Sequence, residues 1–207
     1  PVGGFYKLVL SDGTKVWLNA DSELKYPVRF VGGKREVYLK GEGYFQVSKD
    51  SCRQFIVHLQ NSEITVLGTA FNVSAYEDEA HVYTTLEEGR VAFYSRQNKQ
   101  RILLKPGMQS DMEVATGKTV VSEVDPSLYS AWIEGRFVFQ SLDLESILRQ
   151  LQRWYDFEVF FQQQEVKNYR FRGVLSRDMD IRQALDIIEE TTDLKFDIKG
   201  KTILVRK

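Results

Sequence analysis

Two histidines, one cysteine and several runs of carboxylates are the residues of this 207-residue chain whose types could do chemistry. His58 and His81 lie too far apart for any short metal motif. Cys52 precedes His58 by six residues, so a thiol nucleophile with an imidazole base is conceivable. However, Cys52 sits between Ser51 and Arg53 in a turn-like stretch, and no acid or amide that would orient the histidine is evident. His58 alternates with Ile56 and Gln60, as a side chain on one face of a strand would. The acids come in runs: Glu77-Asp78-Glu79, Glu87-Glu88 and Glu189-Glu190. A glycosidase needs two carboxyl groups opposed across a cleft, which adjacent residues do not supply. Solvated faces are the plainer reading. Gly41-Glu42-Gly43 lacks the third glycine and the following helix of a dinucleotide fingerprint, and no calcium-loop spacing occurs. The expectation is a protein without catalytic residues, metal or cofactor.

Charge points the same way. With 28 basic and 29 acidic residues the formal net charge is −1, so the basic excess of a nucleic-acid binder is missing. No run approaches the roughly 20 apolar residues of a membrane helix. A single cysteine rules out a disulfide within the chain. The sequence starts at Pro1, close to a strand at 5–10, which suits a piece of a longer protein or a complete cytosolic one.

Up to Val124 the chain reads as short strands with period-2 alternation: Val16/Leu18, Val37/Leu39, Phe45/Val47, Phe55/Val57/Leu59 and Val91/Phe93. Turn residues separate them, among them Asp12-Gly13, Gly32-Gly33, Asn61-Ser62 and Pro106-Gly107. The fold class predicted for residues 1–124 is therefore an all-β domain, a two-sheet sandwich or a solenoid-like stack. Residues 125–135 read as a connector. Over 136–207 the period changes, and a small β-α-β unit is written twice. Leu144, Ile147, Leu148, Leu151, Asp156, Phe157, Val159 and Phe161 are matched 37 residues later by Ile181, Ala184, Leu185, Ile188, Asp193, Leu194, Phe196 and Ile198. Asp143 is placed to cap the first helix. Two amphipathic helices on one face of a sheet make this domain α+β.

The segment ITVLGTAFNVSAY (64–76) puts Ile64 and Val66 on even positions but Phe71, Val73 and Ala75 on odd ones. A continuous strand cannot do that without an extra residue, a break or a change of buried face, and Gly68 is where a bulge or bend costs least.

Aromatic residues crowd the α+β unit. Phe160 and Phe161 must point to opposite faces of their strand, which leaves one of them outside. In YRFRG (169–173), Tyr169 and Phe171 alternate with Arg170 and Arg172. This edge could bind another strand, with Phe160, Tyr169, Arg170, Phe171 and Arg172 as candidate partner-binding residues. The plainer reading of residues 169–173 is a solvated arginine face over core aromatics.

LSDGTKVWLNADSELKYP (10–27), VYLKGEGYFQVSKD (37–50), FIVHLQNSEITVLGTAFNVSAY (55–76), LEEGRV (86–91) and LKPGMQ (104–109) together resemble the FecR-type sensor domain. Trp132 and Gly135 leading into Phe139, and the helix ending at residues 153–156, resemble the short C-terminal domain of FecR-like anti-sigma factors of Bacteroidetes. The resemblance implies the periplasmic, signal-receiving region of a single-pass inner-membrane regulator. Its partners would be the signalling domain of a TonB-dependent outer-membrane transducer and, through a cytoplasmic segment absent from these residues, an extracytoplasmic-function sigma factor. It implies no nucleic acid, and a membrane only through a helix outside these residues. The α+β unit also resembles the secretin/TonB short N-terminal fold. A different reading is a carbohydrate-binding β-sandwich, with Trp17, opposite in parity to Val16 and Leu18, as a stacking platform.

Overall fold

Val16, Val37, Phe45, Phe55, Val57, Ile64, Phe71 and Val73, drawn from the alternating segments, are all removed from solvent in one shared core. A computed structural model describes residues 3–207; Pro1 and Val2, counted with the first domain in the sequence reading, lie outside the described residues. The chain divides into two units, Phe5–Ser130 and Ala131–Lys207 with Gly3 and Gly4.

The first unit runs β1 (Tyr6–Val9), β2 (Lys15–Leu18), β3 (Glu23–Lys25), β4 (Lys34–Gln46), β5 (Gln54–His58), β6 (Ser62–Val66), β7 (Ala70–Ala75), β8 (His81–Glu88), β9 (Val91–Ser95), β10 (Arg101–Leu104), β11 (Met108–Glu113) and β12 (Thr119–Glu123), then a short helix α1 (Ser127–Ser130). Its strands form two sheets joined through β4. One has the order β1-β2-β4-β7-β8-β11-β12; in the other β10-β9-β6-β5 reaches β4, which also pairs with β3. The β4–β5 pair is parallel, with Val37 opposite Val57, and the other pairs in this unit are antiparallel. This is the mainly β, two-sheet class that the alternation predicts.

Residues 64–76 cross between the sheets. β6 belongs to the sheet of β5 and β9, and β7 to the sheet of β4 and β8. The parity shift is thus a break and a change of sheet, not a bulge in one continuous strand; a register irregularity follows at Ala70/Phe71. The crossing is held to residues 47–50 by backbone bonds, Val47 N–H to Thr69 O (3.0 Å) and Asp50 N–H to Leu67 O (2.8 Å). That stitching brings Lys49 so close that a Cβ on Gly68 would lie 2.7 Å from its Cα. Glycine is required by the approach of backbone, not by its φ.

A buried ion pair lies inside this unit. Arg35 is fully buried, and its guanidinium donates to Asp12 Oδ2, Ser48 O and Arg53 O, each at 2.8 Å, above the Phe55 ring. Asp12 also accepts from Thr14 N–H (3.0 Å) and Thr14 Oγ1 (2.7 Å). The β1–β2 turn and the 48–53 loop are therefore pinned to the start of β4.

The second unit runs through a 3-10 turn (Ala131–Glu134), β13 (Arg136–Asp143), α2 (Leu144–Tyr155), β14 (Glu158–Phe161), a 3-10 turn (Gln164–Asn168), β15 (Arg170–Ser176), α3 (Ile181–Glu190), β16 (Lys195–Lys199) and β17 (Thr202–Arg206). Asp143 caps α2 by accepting from Ser146 N–H, and Asp180 and Gln183 form a capping box on α3. Leu144, Ile147, Leu148 and Leu151 of α2 are buried, as are Ala184, Leu185 and Ile188 of α3. The strands divide between two sheets, β13-β15 and β14-β17-β16, whose inner residues share one core with both helices.

Gly68→Val should lower stability by about 1–3 kcal/mol in urea unfolding, because the new methyl groups meet the Lys49 backbone; a fully stable variant would refute the close approach. Arg35→Met should cost about 3–5 kcal/mol by stranding the Asp12 carboxylate, with part recovered in Asp12→Asn/Arg35→Met. A double-variant loss equal to the sum of the Asp12→Asn and Arg35→Met losses would show that the pair is not coupled.

Candidate functional site

The residues with chemical potential are dispersed and structurally engaged. His58, on β5, stacks on Tyr38 (ring centroids 4.7 Å) and receives Arg96 Nη2 at Nδ1 (2.9 Å), with Glu63 and Glu36 at 3.5 and 3.8 Å. His81, on β8, pairs with Asp111 through Nδ1 at 2.5 Å. Cys52 is exposed, in a turn closed by Asp50, whose Oδ1 accepts from Cys52 N–H and Arg53 N–H. The Arg53 side chain, with these backbone donors, holds the Asp50 carboxyl below its ordinary pKa.

The carboxylate runs are similarly occupied. Glu77 pairs with Lys40 (2.8 Å), and Glu87 accepts from the Tyr44 hydroxyl (2.8 Å). Burial, then this bond to Glu87, pushes the Tyr44 phenol up to about 12. Glu189 is not simply solvated: it accepts from Phe196 N–H (2.6 Å) and pairs with Lys195 (3.0 Å), tying α3 to β16. Among the described residues, no group of three or more His, Cys, Asp or Glu could hold a metal ion. No helix among them is long and apolar enough to cross a membrane.

What remains is surface, and the second unit has distinctive surface. On β14, Val159 and Phe161 turn to the core while Phe160 stays 55% exposed. Register places Phe160 beside Leu204 of β17, and Leu204 beside Asp197 of β16. These three line an open cleft of about 650 Å³ with Arg182, Ile198, Lys199 and Thr202. The Arg206 guanidinium holds the Asp197 carboxyl below its ordinary range (Nε to Oδ2, 2.7 Å).

The other four predicted residues lie elsewhere. Arg170, Phe171 and Arg172 belong to β15, in the two-stranded sheet, and Tyr169 precedes it. Tyr169 and Phe171 pack against the core, whereas Arg170 and Arg172 are exposed. Arg170 Nη1 donates to Ser141 O (2.6 Å), across the β13 irregularity. The expected single aromatic–arginine edge is thus two places: Phe160 on the outer face of one sheet, and the two arginines on the outside of another. The reason is the split of the strands between two sheets, which period-2 alternation cannot reveal. Among the described residues β14 pairs only with β17 and β15 only with β13, so each has one edge without a strand partner.

Sequence reasoning missed Arg177. This nearly buried residue puts its guanidinium 4.5 Å from the Phe137 and Trp154 ring centroids and 6.0 Å from that of Trp132. Its N–H donates to Gly135 O (2.8 Å), and Trp154 Nε1 donates to its carbonyl (3.2 Å). The Trp132 to Gly135 turn and the loop after β15 are locked together there. No local signal marked it: the aromatic residues come from separate elements. Trp17, the suggested sugar platform, is half-buried, with its ring against Tyr44 edge-on (5.6 Å) and Lys7 Nζ 4.8 Å from the centroid.

Comparison with known proteins matches residues 1–92 to the FecR protein family and residues 136–205 to the FecR C-terminal family. No curated protein sequence matches the chain. Two crystal structures of a candidate anti-sigma factor from Parabacteroides distasonis ATCC 8503, at 1.65 and 2.50 Å, are similar over its whole length. Identity is 26% in both, TM-scores are 0.92 and 0.91, and this chain is covered completely with 96% and 95% of the other. With an amino-terminal and a carboxy-terminal family match in chain order, and a likeness that spans every element described above, the chain belongs to the FecR family.

Proposed function

We propose that this chain is the sensor region of an anti-sigma regulator. The observation that carries the proposal is the full-length likeness to the Parabacteroides protein, joined to the two FecR matches in order. In the finer reading, the region lies in the periplasm as part of a single-pass inner-membrane protein. It receives a signal from the signalling domain of a TonB-dependent outer-membrane transducer and relays it to an extracytoplasmic-function sigma factor, which a cytoplasmic segment outside these residues would contact. In domain terms, residues 1–124 would be the sensor domain, 125–135 the connector and 136–207 the docking domain. The chemistry suits a binding module: polar groups that could react are tied into turns and sheet faces, while strand edges without a strand partner and the Phe160 cleft remain available. Signalling then rests on differential affinity of partners for alternative states of the complex.

Docking would use the outer faces of the second unit, with Phe160 and Arg172 as its solvent-facing contributors and Tyr169 and Phe171 supporting them from the core side. Phe160→Asp with Arg172→Glu should weaken capture of the cognate transducer's signalling domain by at least about tenfold, the effect of losing one interface anchor. Thermal unfolding should be unchanged, since both side chains are exposed. Undiminished capture by a folded double variant would remove this surface from the proposal.

A further inference from the structure

The first unit carries an exposed apolar feature that neither its core nor the docking proposal explains. Between β3 and β4, Val28 is 89% exposed and Val31 90%, more than any other large hydrophobic side chain among the described residues. Tyr26 is 49% exposed at the start of the same loop, and Tyr38, opposite Lys25 in the β3–β4 register, is 54% exposed. The loop is anchored from within. Phe30 turns inward, packs on the core and meets the Phe55 ring edge-on at 6.0 Å. An inward aromatic residue flanked by two outward valines gives a fixed tip with aliphatic side chains facing water.

Charge supplies the second observation. Lys25, Arg29 and Lys34 are all exposed around these side chains, and residues 24–35 contain no acid. Arg35 turns its charge into the interior toward Asp12. The flanking acids have cationic or histidine neighbours: Glu23 lies 3.2 Å from Lys25, and Glu36 lies 3.8 Å from the His58 ring. The tip is therefore apolar and basic together.

The geometry points to an anionic lipid surface as the occupant of this loop. Val28 and Val31 would enter the boundary between headgroups and acyl chains, and Tyr26 would lie at headgroup level. Arg29 and Lys34 would reach the lipid phosphates while their methylene stems stay against the apolar layer, and Lys25 offsets the charge of Glu23 beside it. Neither half of the contact suffices alone: two valines make a small apolar anchor, and two cations are screened by salt. Together they give weak, reversible adhesion that holds one end of the sensor unit against a membrane, a contact separate from any membrane-spanning segment.

The test is flotation of the chain with vesicles of phosphatidylcholine containing about one-third phosphatidylglycerol, beside vesicles of phosphatidylcholine alone. The expected result is co-flotation with the anionic vesicles only, lost on raising salt to about 0.5 M. Val28→Asp/Val31→Asp should reduce it at least about tenfold, because both apolar anchors are gone. Leu103→Asp, at a 79% exposed position on β10, should leave it unchanged. All variants should melt as the parent does, since each changed side chain faces solvent. Absence of co-flotation, equal binding to neutral vesicles, or binding that survives Val28→Asp/Val31→Asp overturns the inference. In the first of these outcomes an acidic protein surface becomes the reading of the loop.

Discussion

A strand that belongs to two sheets must turn its hydrogen-bonding direction partway along, and β4 does so at Gly41. Its first part pairs with β5 and β3, and its last with β2 and β7, so both sheets of the first unit are built outward from one segment. At the turn Gly41 has φ +84°, and a Cβ there would lie 2.9 Å from Asp21 O and closer still to Ser22. Glu42 follows and accepts from Asn19 (2.6 Å) and Asn72 (2.9 Å), linking the residue after β2 to β7. The Gly-Glu-Gly triplet that could pass for a fragment of a nucleotide loop is thus the hinge of the central strand. Arg35 fixes the other end of β4 by gathering the β1–β2 turn and the 48–53 loop around a buried charge. Such a pair adds little net stability over apolar packing, but removing one partner is expensive, so its effect is to penalise alternative arrangements of those loops.

The second unit solves its packing problem differently. Each half of its internal repeat has a helix with one apolar stripe and strands too short to cover it. Burial is completed only when two helices and two sheets share a core. The ends are then closed by specific contacts: the aspartate caps of α2 and α3, the Glu189 acceptor under Phe196, and Arg177 among three aromatic rings. A guanidinium over ring faces keeps its charge favourably placed in a largely dry site, which an unpartnered cation could not do.

Local patterns were legible in the sequence to the extent that they act over a few residues. Alternation identified the strand segments and their buried sides. The stripe of Leu144, Ile147, Leu148 and Leu151 identified α2, and Asp143 its cap. The opposite facing of Phe160 and Phe161 followed from the strand period alone. What could not be read depends on partners far apart in sequence: the sharing of β4, the Asp12–Arg35 pair, the aromatic site of Arg177, and the division of the last strands between two sheets. The candidate surface suffered most. Alternation ordered Tyr169 to Arg172 correctly into core-facing and exposed sides, but nothing local could show that Phe160 stands on a different sheet. The FecR resemblance rests on motifs whose role proves structural, since Gly68, Gly41 and Trp132 serve close approach, strand turning and packing.

That distribution bears on how such a protein could respond to a partner. Its buried ionic and aromatic contacts resist change: repacking the first core would strand Asp12 or Arg35, at about 3–5 kcal/mol. Adding a strand to the side of β14 or β15 that lacks a strand partner would leave these contacts in place and pair further backbone groups. Filling the cleft beside Phe160 likewise covers apolar surface already exposed. The cheaper response is therefore exchange of partners on preformed surfaces, with each unit keeping its internal structure. Strand addition of this kind needs a packed core beside an edge without a strand partner, and the second unit has both.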